Sequence, residues 1–145
     1  CREGHLEAEK AVMTTDTVPK EAAVEFTCGG RKCHLGGMAK GSGMINPHMA
    51  TTLNFITTDV SISADMLQCV LSDVVQDTYN CLCVDGDMSA KDMVLVMADG
   101  MTGNKEICDS SEEAHSKVLS LLPLQAPFKR HLSAASEQSC APGRI

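Results

Sequence analysis

The stretch SADMLQCVLSDVVQDTY, residues 63 to 79, can bury one face and can do so only as a helix. Met66, Leu67, Val70, Leu71, Val74 and Val75 recur at spacings of three and four, which gathers them into one stripe. Ser63 stands where an N-cap belongs. Strand-like runs lie on either side: TTLNFITTD before the helix, then CLCV closed by DGD, then MVLVMA closed by Asp99-Gly100. Upstream, EAAVEFTC and RKCHLGG flank Gly29-Gly30, a two-residue hairpin signal, with Val24, Phe26 and Cys28 on one face. CREGHLEAEKAV reads as the end of a helix, broken by MTTDTVPK and its Pro19. GGMAKGSGMINP, with Gly36, Gly37, Gly41 and Gly43, is expected to form no regular element. A further helical stretch falls near residues 111 to 122, ahead of Pro123, Pro127 and Pro142. No internal repeat is present, and strands alternate with helices. The predicted class is α/β.

The 145 residues suffice for one domain with a core. Aromatic residues are 3%, without tryptophan, so the nine methionines must supply part of the filling. No apolar run reaches the roughly 18 residues of a membrane span, and no basic start precedes an apolar segment. A cytoplasmic protein with no membrane partner is the expectation. The sequence opens on Cys1 rather than Met, which predicts a missing N-terminus. A net charge of −7 argues against nucleic acid as a partner. The charge is uneven. Up to Lys117 there are 18 acids against 9 bases, whereas from Val118 onward Glu137 faces Lys129, Arg130 and Arg144. All nine methionines precede Val118.

Eight cysteines stand at positions 1, 28, 33, 69, 81, 83, 108 and 140. Cys28, Cys33 and His34 could be part of a metal site, but no second pair lies at zinc spacing. Reduced, mostly buried thiols are expected, and no metal. Asp85, Asp87 and Asp92 around VDGD lack the remaining ligands of a calcium loop, and a turn between strands is the better reading.

The chemistry concentrates at HMATTLNFITTD, residues 48 to 59, where Ala50 precedes Thr51 and Thr52 behind the glycine run. Threonine pairs commonly open strands, and β-propensity alone would account for them. The alternative is self-cleavage. A threonine hydroxyl needs a base within hydrogen-bond reach, and breaking the peptide bond before it creates one. The new α-amino group, with a pKa of about 7.7–8.0, is partly neutral at physiological pH and can take the hydroxyl proton. Small Ala50 leaves its carbonyl open to the hydroxyl that would attack it.

AVMTTDTVPK, GGMAKGSGMINPHMATTLNFITTDV and DTYNCLCVDGDMSAKDMVLVMADG together resemble the ornithine acetyltransferase family, the bifunctional glutamate N-acetyltransferase/amino-acid acetyltransferases of arginine biosynthesis. The resemblance covers residues 7 to 105 in order. It implies layered sheets with flanking helices, similar to the ornithine acetyltransferase/self-processing aminopeptidase fold, here incomplete. It implies self-cleavage at Ala50–Thr51, with Thr51 as nucleophile and first residue of a second subunit. Thr51 would take the acetyl group of N-acetylornithine as an ester and pass it to glutamate. The family's substrate-binding threonine falls on Thr14 and its loop lysine on Lys40, eleven residues before Thr51. A cation suits substrates that carry an α-carboxylate. The plain alternatives are a turn threonine and a solvated loop lysine. Thr52 stands where the family often has methionine. No cofactor is implied. Some members accept acetyl-CoA, which makes it a candidate co-substrate. The family's assembly is a heterotetramer of two α and two β subunits.

The implied division is residues 1–50 as the end of the α-subunit region, 51–117 as the start of the β-subunit region, and 118–145 as an unmatched tail. That tail reads as a frameshift or an unrelated fusion. The family's oxyanion-stabilising Thr-Gly pair would lie upstream of Cys1, and its downstream Asp-Gly-Glu-Gly-Ala-Thr-Lys motif is not found. The 145-residue piece alone is therefore expected to be inactive. Two other readings stay open: a related self-processing amidase or aminopeptidase that uses the same threonine, and an inactive fragment.

Overall fold

The computed structural model describes residues 4–14, 16, 18–41, 52–81 and 92–108. They form helix α1 (His5–Val12), strands β1 (Lys20–Cys28), β2 (Arg31–Lys40) and β3 (Leu53–Thr58), helix α2 (Ala64–Asp77), one 3-10 turn (Tyr79–Cys81) and strand β4 (Met93–Ala98). The strands lie side by side in one sheet in the order β1-β2-β3-β4. The α/β class expected from the alternation of elements is the class found.

β1 and β2 form the anticipated hairpin, from Cys28↔Arg31 back to Lys20↔Ala39. Its turn holds Gly29 at φ 56° and Gly30 at φ 75°. Positive φ at both central residues matches the twist of the flanking strands, and glycine alone reaches it without steric cost. β1 alternates as its sequence does: Glu21, Ala23, Glu25 and Thr27 face solvent, while Ala22, Val24 and Phe26 are half-buried and Cys28 is buried.

The glycine run behaves differently from the expectation. Gly36 to Lys40 continue β2, which pairs with β1 on one side and antiparallel with β3 on the other. A Cβ on Gly37 would lie 3.0 Å from the Phe55 carbonyl oxygen and 3.3 Å from Ile56 Cγ1. Glycine here admits a close neighbour instead of loosening the chain, and pairing on both edges overrides its weak strand preference. The rest of that run, from Ser42, lies outside the described residues.

β3 and β4 are parallel, Leu53↔Met93 to Thr58↔Ala98, with α2 in the connection between them. Ser63 caps α2 as expected, its Oγ accepting the Met66 N–H at 3.3 Å. At the other end the Thr78 hydroxyl donates to the Val74 carbonyl at 2.6 Å. Met66, Val70 and Val74 are buried against Phe26, Ile62 and Ile107. Leu67, Leu71 and Val75 flank them half-buried. A second cluster, Leu35, Ala39 and Ile56, takes in Val24, Val94 and Val96, and also Phe26, which therefore joins the two. After β4 the chain returns to the start of α2: Asn104 Oδ1 accepts the Ser61 N–H at 2.8 Å, and Ile62 bridges Ile107.

Two further expectations need correction. Cys81 closes a 3-10 turn and does not open a strand, because Thr78 at φ −124°, ψ −84° ends the helix in a tight bend. Leu82 to Val84 lie outside the described residues. The thiols are also less buried than expected: Cys28 and Cys33 are buried, but Cys69 and Cys108 are exposed. Cys69 lies off the Met66–Val70–Val74 stripe that faces the sheet. The helical stretch near 111–122, Cys1, Cys83 and Cys140 lie outside the described residues.

Candidate active site

Lys40 is the last residue of β2 and pairs with Leu53, the first of β3. The fold thus brings Lys40 to the end of the sheet where the chain re-enters from Thr51, two residues before Leu53. Ala50 and Thr51 themselves lie outside the described residues.

Thr14 reaches the same place from the other side. It follows α1 in the segment leading to β1, and Lys40 Nζ donates to its Oγ1 at 3.4 Å. The two positions marked by resemblance as substrate-binding, 26 residues apart in sequence, therefore touch. Thr14 is exposed and Lys40 half-buried. Lys40 is thus a strand-end lysine with an exposed hydrogen-bond partner, not a loop residue.

Beneath this pair lies a charged device that the sequence did not reveal. Lys20, the first residue of β1, is 2% exposed and forms an ion pair with buried Asp16. Both Asp16 carboxylate oxygens also accept the Gly41 N–H at 3.3 Å. One carboxylate thus binds the segment holding Thr14 to the backbone just past Lys40. Gly41 is buried with φ at 153°, a value open to glycine. Asp16 lies two residues beyond Thr14 in the same motif, a signal of proximity but not of pairing.

On the far side of β3, Thr52 is fixed at both its peptide groups. Its N–H donates to Asp92 Oδ1 at 2.7 Å, and its carbonyl accepts the Met93 N–H at 2.9 Å. Asn54 Nδ2 donates to the Met93 carbonyl at 3.5 Å. Thr52 and Asn54 are 3% and 1% exposed, and neither Thr52 Oγ1 nor Asn54 Oδ1 finds a hydrogen-bond partner among the described residues. Asp92 spends its carboxylate on a backbone N–H, a different use from the calcium-loop ligand considered above. Asp85 and Asp87 lie outside the described residues.

A second polar cluster sits about 20 Å down β2, six residues from Lys40. The His34 ring Nδ1 lies 2.7 Å from Asp59 Oδ2, and its backbone N–H donates to Asp59 Oδ1 at 2.7 Å. Glu25 adds Oε2 at 3.6 Å from His34 Nε2 and binds Lys32 Nζ at 2.8 Å. The hydrogen bond that His34 makes to the Asp59 carboxylate raises the His34 pKa above its ordinary value, against the opposing effect of desolvation. Burial would push the Asp59 carboxyl up, but the His34 amide and ring outweigh it and hold it low. Cys33 is fully buried while His34 is 63% exposed, so the Cys28–Cys33–His34 set does not converge. No cluster of three metal-ligating side chains occurs among the described residues.

Residues 2–126 match the protein-family model described as the ArgJ family. The chain belongs to the ArgJ family. Among curated relatives it is 49% identical over 109 residues to "Arginine biosynthesis bifunctional protein ArgJ" of Symbiobacterium thermophilum, which covers 75% of this chain and 27% of that protein. It is 50% identical over 111 residues to "Glutamate N-acetyltransferase" of Methanocaldococcus jannaschii, covering 74% and 28%. It is 43% identical over 129 residues to the ArgJ protein of Bartonella quintana, covering 89% and 29%. The chain thus spans between a quarter and a third of the length of these relatives. The ArgJ match contains every motif on which the resemblance was read, together with Thr14, Asp16, Lys40, Thr51 and Asp92.

Proposed function

We propose that this chain is the central portion of an acetyltransferase of arginine biosynthesis, one that moves acetyl from N-acetylornithine to glutamate. The observation that carries the reading is the contact of Lys40 with Thr14 at the sheet end where the chain re-enters from Thr51. A cation and a hydroxyl side by side suit the α-carboxylate that both amino acids share.

The proposed sequence begins with self-cleavage. The Thr51 hydroxyl attacks the Ala50 carbonyl, the peptide bond breaks, and water releases the ester, leaving Thr51 with a new α-amino group. That amine takes the hydroxyl proton as Oγ attacks the acetyl carbonyl of N-acetylornithine. The amide C–N bond breaks, ornithine leaves with the proton on its nitrogen, and acetyl remains on Thr51 as an ester. The amino group of glutamate then attacks this ester, forming N-acetylglutamate and restoring the threonine. Lys40 and Thr14 hold each substrate in turn. Acetyl-CoA is an alternative donor to the same ester. The assembly we propose is two α and two β subunits, in the cytoplasm. Among the described residues no helix is long and apolar enough to cross a membrane.

The test is intact mass and acetyl transfer of the full-length protein beside Thr51→Ala. The expected result is two fragments, one beginning at Thr51, and acetyl passing from N-acetylornithine to glutamate, both lost in the variant. Equal cutting of the two proteins would remove Thr51 from the mechanism. Release of free acetate in place of N-acetylglutamate would make the enzyme a hydrolase.

A further inference from the structure

We propose that Asp92 is a positioning residue for the nucleophile, acting through the peptide group that joins Thr51 to Thr52. The proposal rests on Thr51 being that nucleophile, as argued above.

The regular β3–β4 ladder begins at Leu53↔Met93. One step earlier a side chain continues it, since the Thr52 N–H donates to the Asp92 carboxylate at 2.7 Å while the Met93 N–H donates to the Thr52 carbonyl at 2.9 Å. Consecutive residues of the β4 start thus grip both polar groups of Thr52. A bond from an N–H to a carboxylate is stronger than its neutral counterpart. Asn54, bound to the Met93 carbonyl, ties the same two strand starts together one layer further in.

The position of this grip matters because of what cleavage leaves. Once the Ala50–Thr51 bond is cut, Thr51 is an amino-terminal residue with one covalent tether, and that tether is the peptide whose N–H Asp92 holds. The peptide group is planar, so fixing it leaves only rotation about the Cα–C bond and χ1 to aim the hydroxyl of Thr51. Near-attack geometry is sensitive to displacements of an ångström, which can cost about a hundredfold in rate. Asp92 touches no substrate in this scheme and acts through Thr51 alone.

The test compares Asp92→Ala, Asp92→Ser and Asp92→Asn in the full-length protein. Alanine removes the acceptor, serine is too short to reach, and asparagine keeps a carbonyl oxygen at the same place. We expect kcat for acetyl transfer to fall about tenfold to a hundredfold in the alanine and serine variants, with KM for N-acetylornithine within about twofold of wild type. Asparagine should restore kcat to within about threefold of wild type. A wild-type protein that neither yields a fragment starting at Thr51 nor transfers acetyl overturns the functional reading and this proposal together. An active wild type with unchanged kcat in folded alanine and serine variants overturns the positioning role alone. So does an asparagine variant as slow as alanine, which would make the charge, not the acceptor, the requirement. If both truncated variants fail to fold while asparagine folds, Asp92 supports the sheet and not the nucleophile, and the proposal falls.

Discussion

Lys20 carries a charge almost wholly out of water, with Asp16 as its counter-ion and the Gly41 N–H completing the carboxylate's shell. An ion pair so placed gains little over an apolar pair of similar volume, because desolvation offsets the attraction. Breaking it is another matter, since the remaining charge is left buried. Lys20→Met should cost about 3–5 kcal/mol in urea unfolding, and adding Asp16→Asn should recover a large part of that loss. If Lys20→Met proves neutral, the pair is not buried as described. The same substitution should weaken substrate binding, because Asp16 joins the Thr14 segment to the end of β2. None of this was legible in the sequence. Asp16 and Lys20 are four apart and read as ordinary polar residues around Pro19. What makes them a device is the closure of β1 onto β2, a contact at long range. Asp92 escaped for the same reason: its partner lies 40 residues earlier. Thr14 and Lys40 were singled out through the motifs surrounding them, and the fold brings the two into contact. Nothing in their own chemistry distinguishes them from other surface threonines and lysines.

Among the elements, β2 shows how one residue type can mean two opposite things. Gly29 and Gly30 turn the chain at positive φ, and the sequence announced it, because two strand-like runs flank them. Gly36 and Gly37 lie within the strand, and the sequence suggested a loop. The two differ in what a side chain would meet. At Gly36 the nearest atom to an added Cβ is the Ala22 carbonyl oxygen at 3.9 Å, whereas at Gly37 it is the Phe55 carbonyl oxygen at 3.0 Å. Gly37→Ala should therefore destabilise the fold by about 1–3 kcal/mol through overpacking. Gly36→Ala should change stability by less than about 1 kcal/mol. Thermal unfolding of the two variants side by side checks the pair, and equal losses would show that strand flexibility, not space, is what glycine supplies. The amphipathic helix needed no such context. Its stripe and its serine cap were both readable locally, because each is set by neighbours within four residues. The error at Cys81 fell at a helix exit, where Thr78 leaves regular geometry and periodicity stops being informative.

At the scale of the whole molecule, the His34–Asp59 contact should give stability a pH dependence. The His34 pKa lies above its ordinary 6.5 in the folded state. Its contribution is thus fully present below that value and is lost as pH rises through the raised one. Asp59 lies below its ordinary 3.8, so its contribution is present above that value and fades as pH falls through the lowered one. Together they act between the ordinary carboxylate and imidazole ranges. The Tm difference between the wild-type chain and His34→Gln should be positive at about pH 5.5 and shrink by about pH 8.5. A difference that grows with pH would reverse the assignment. Glu25 and Lys32 share the cluster, so Glu25→Gln should reduce the effect without abolishing it.

β3 is an interior strand, laddered to β2 along one edge and to β4 along the other. The proposed scissile bond falls in the connection between β2 and β3. Cutting it would sever the covalent chain but leave the sheet whole, with Leu35–Lys40 on one product still paired to Leu53–Thr58 on the other. The two subunits would then never meet as strangers. They would be born already zipped together, each supplying the missing neighbour of the other's exposed strand edge. Pulling them apart would amount to denaturing both, and mixing separately made halves would ask each to survive with a raw edge while it waits. Co-elution of the halves through every non-denaturing step follows from the topology, without any further affinity between them.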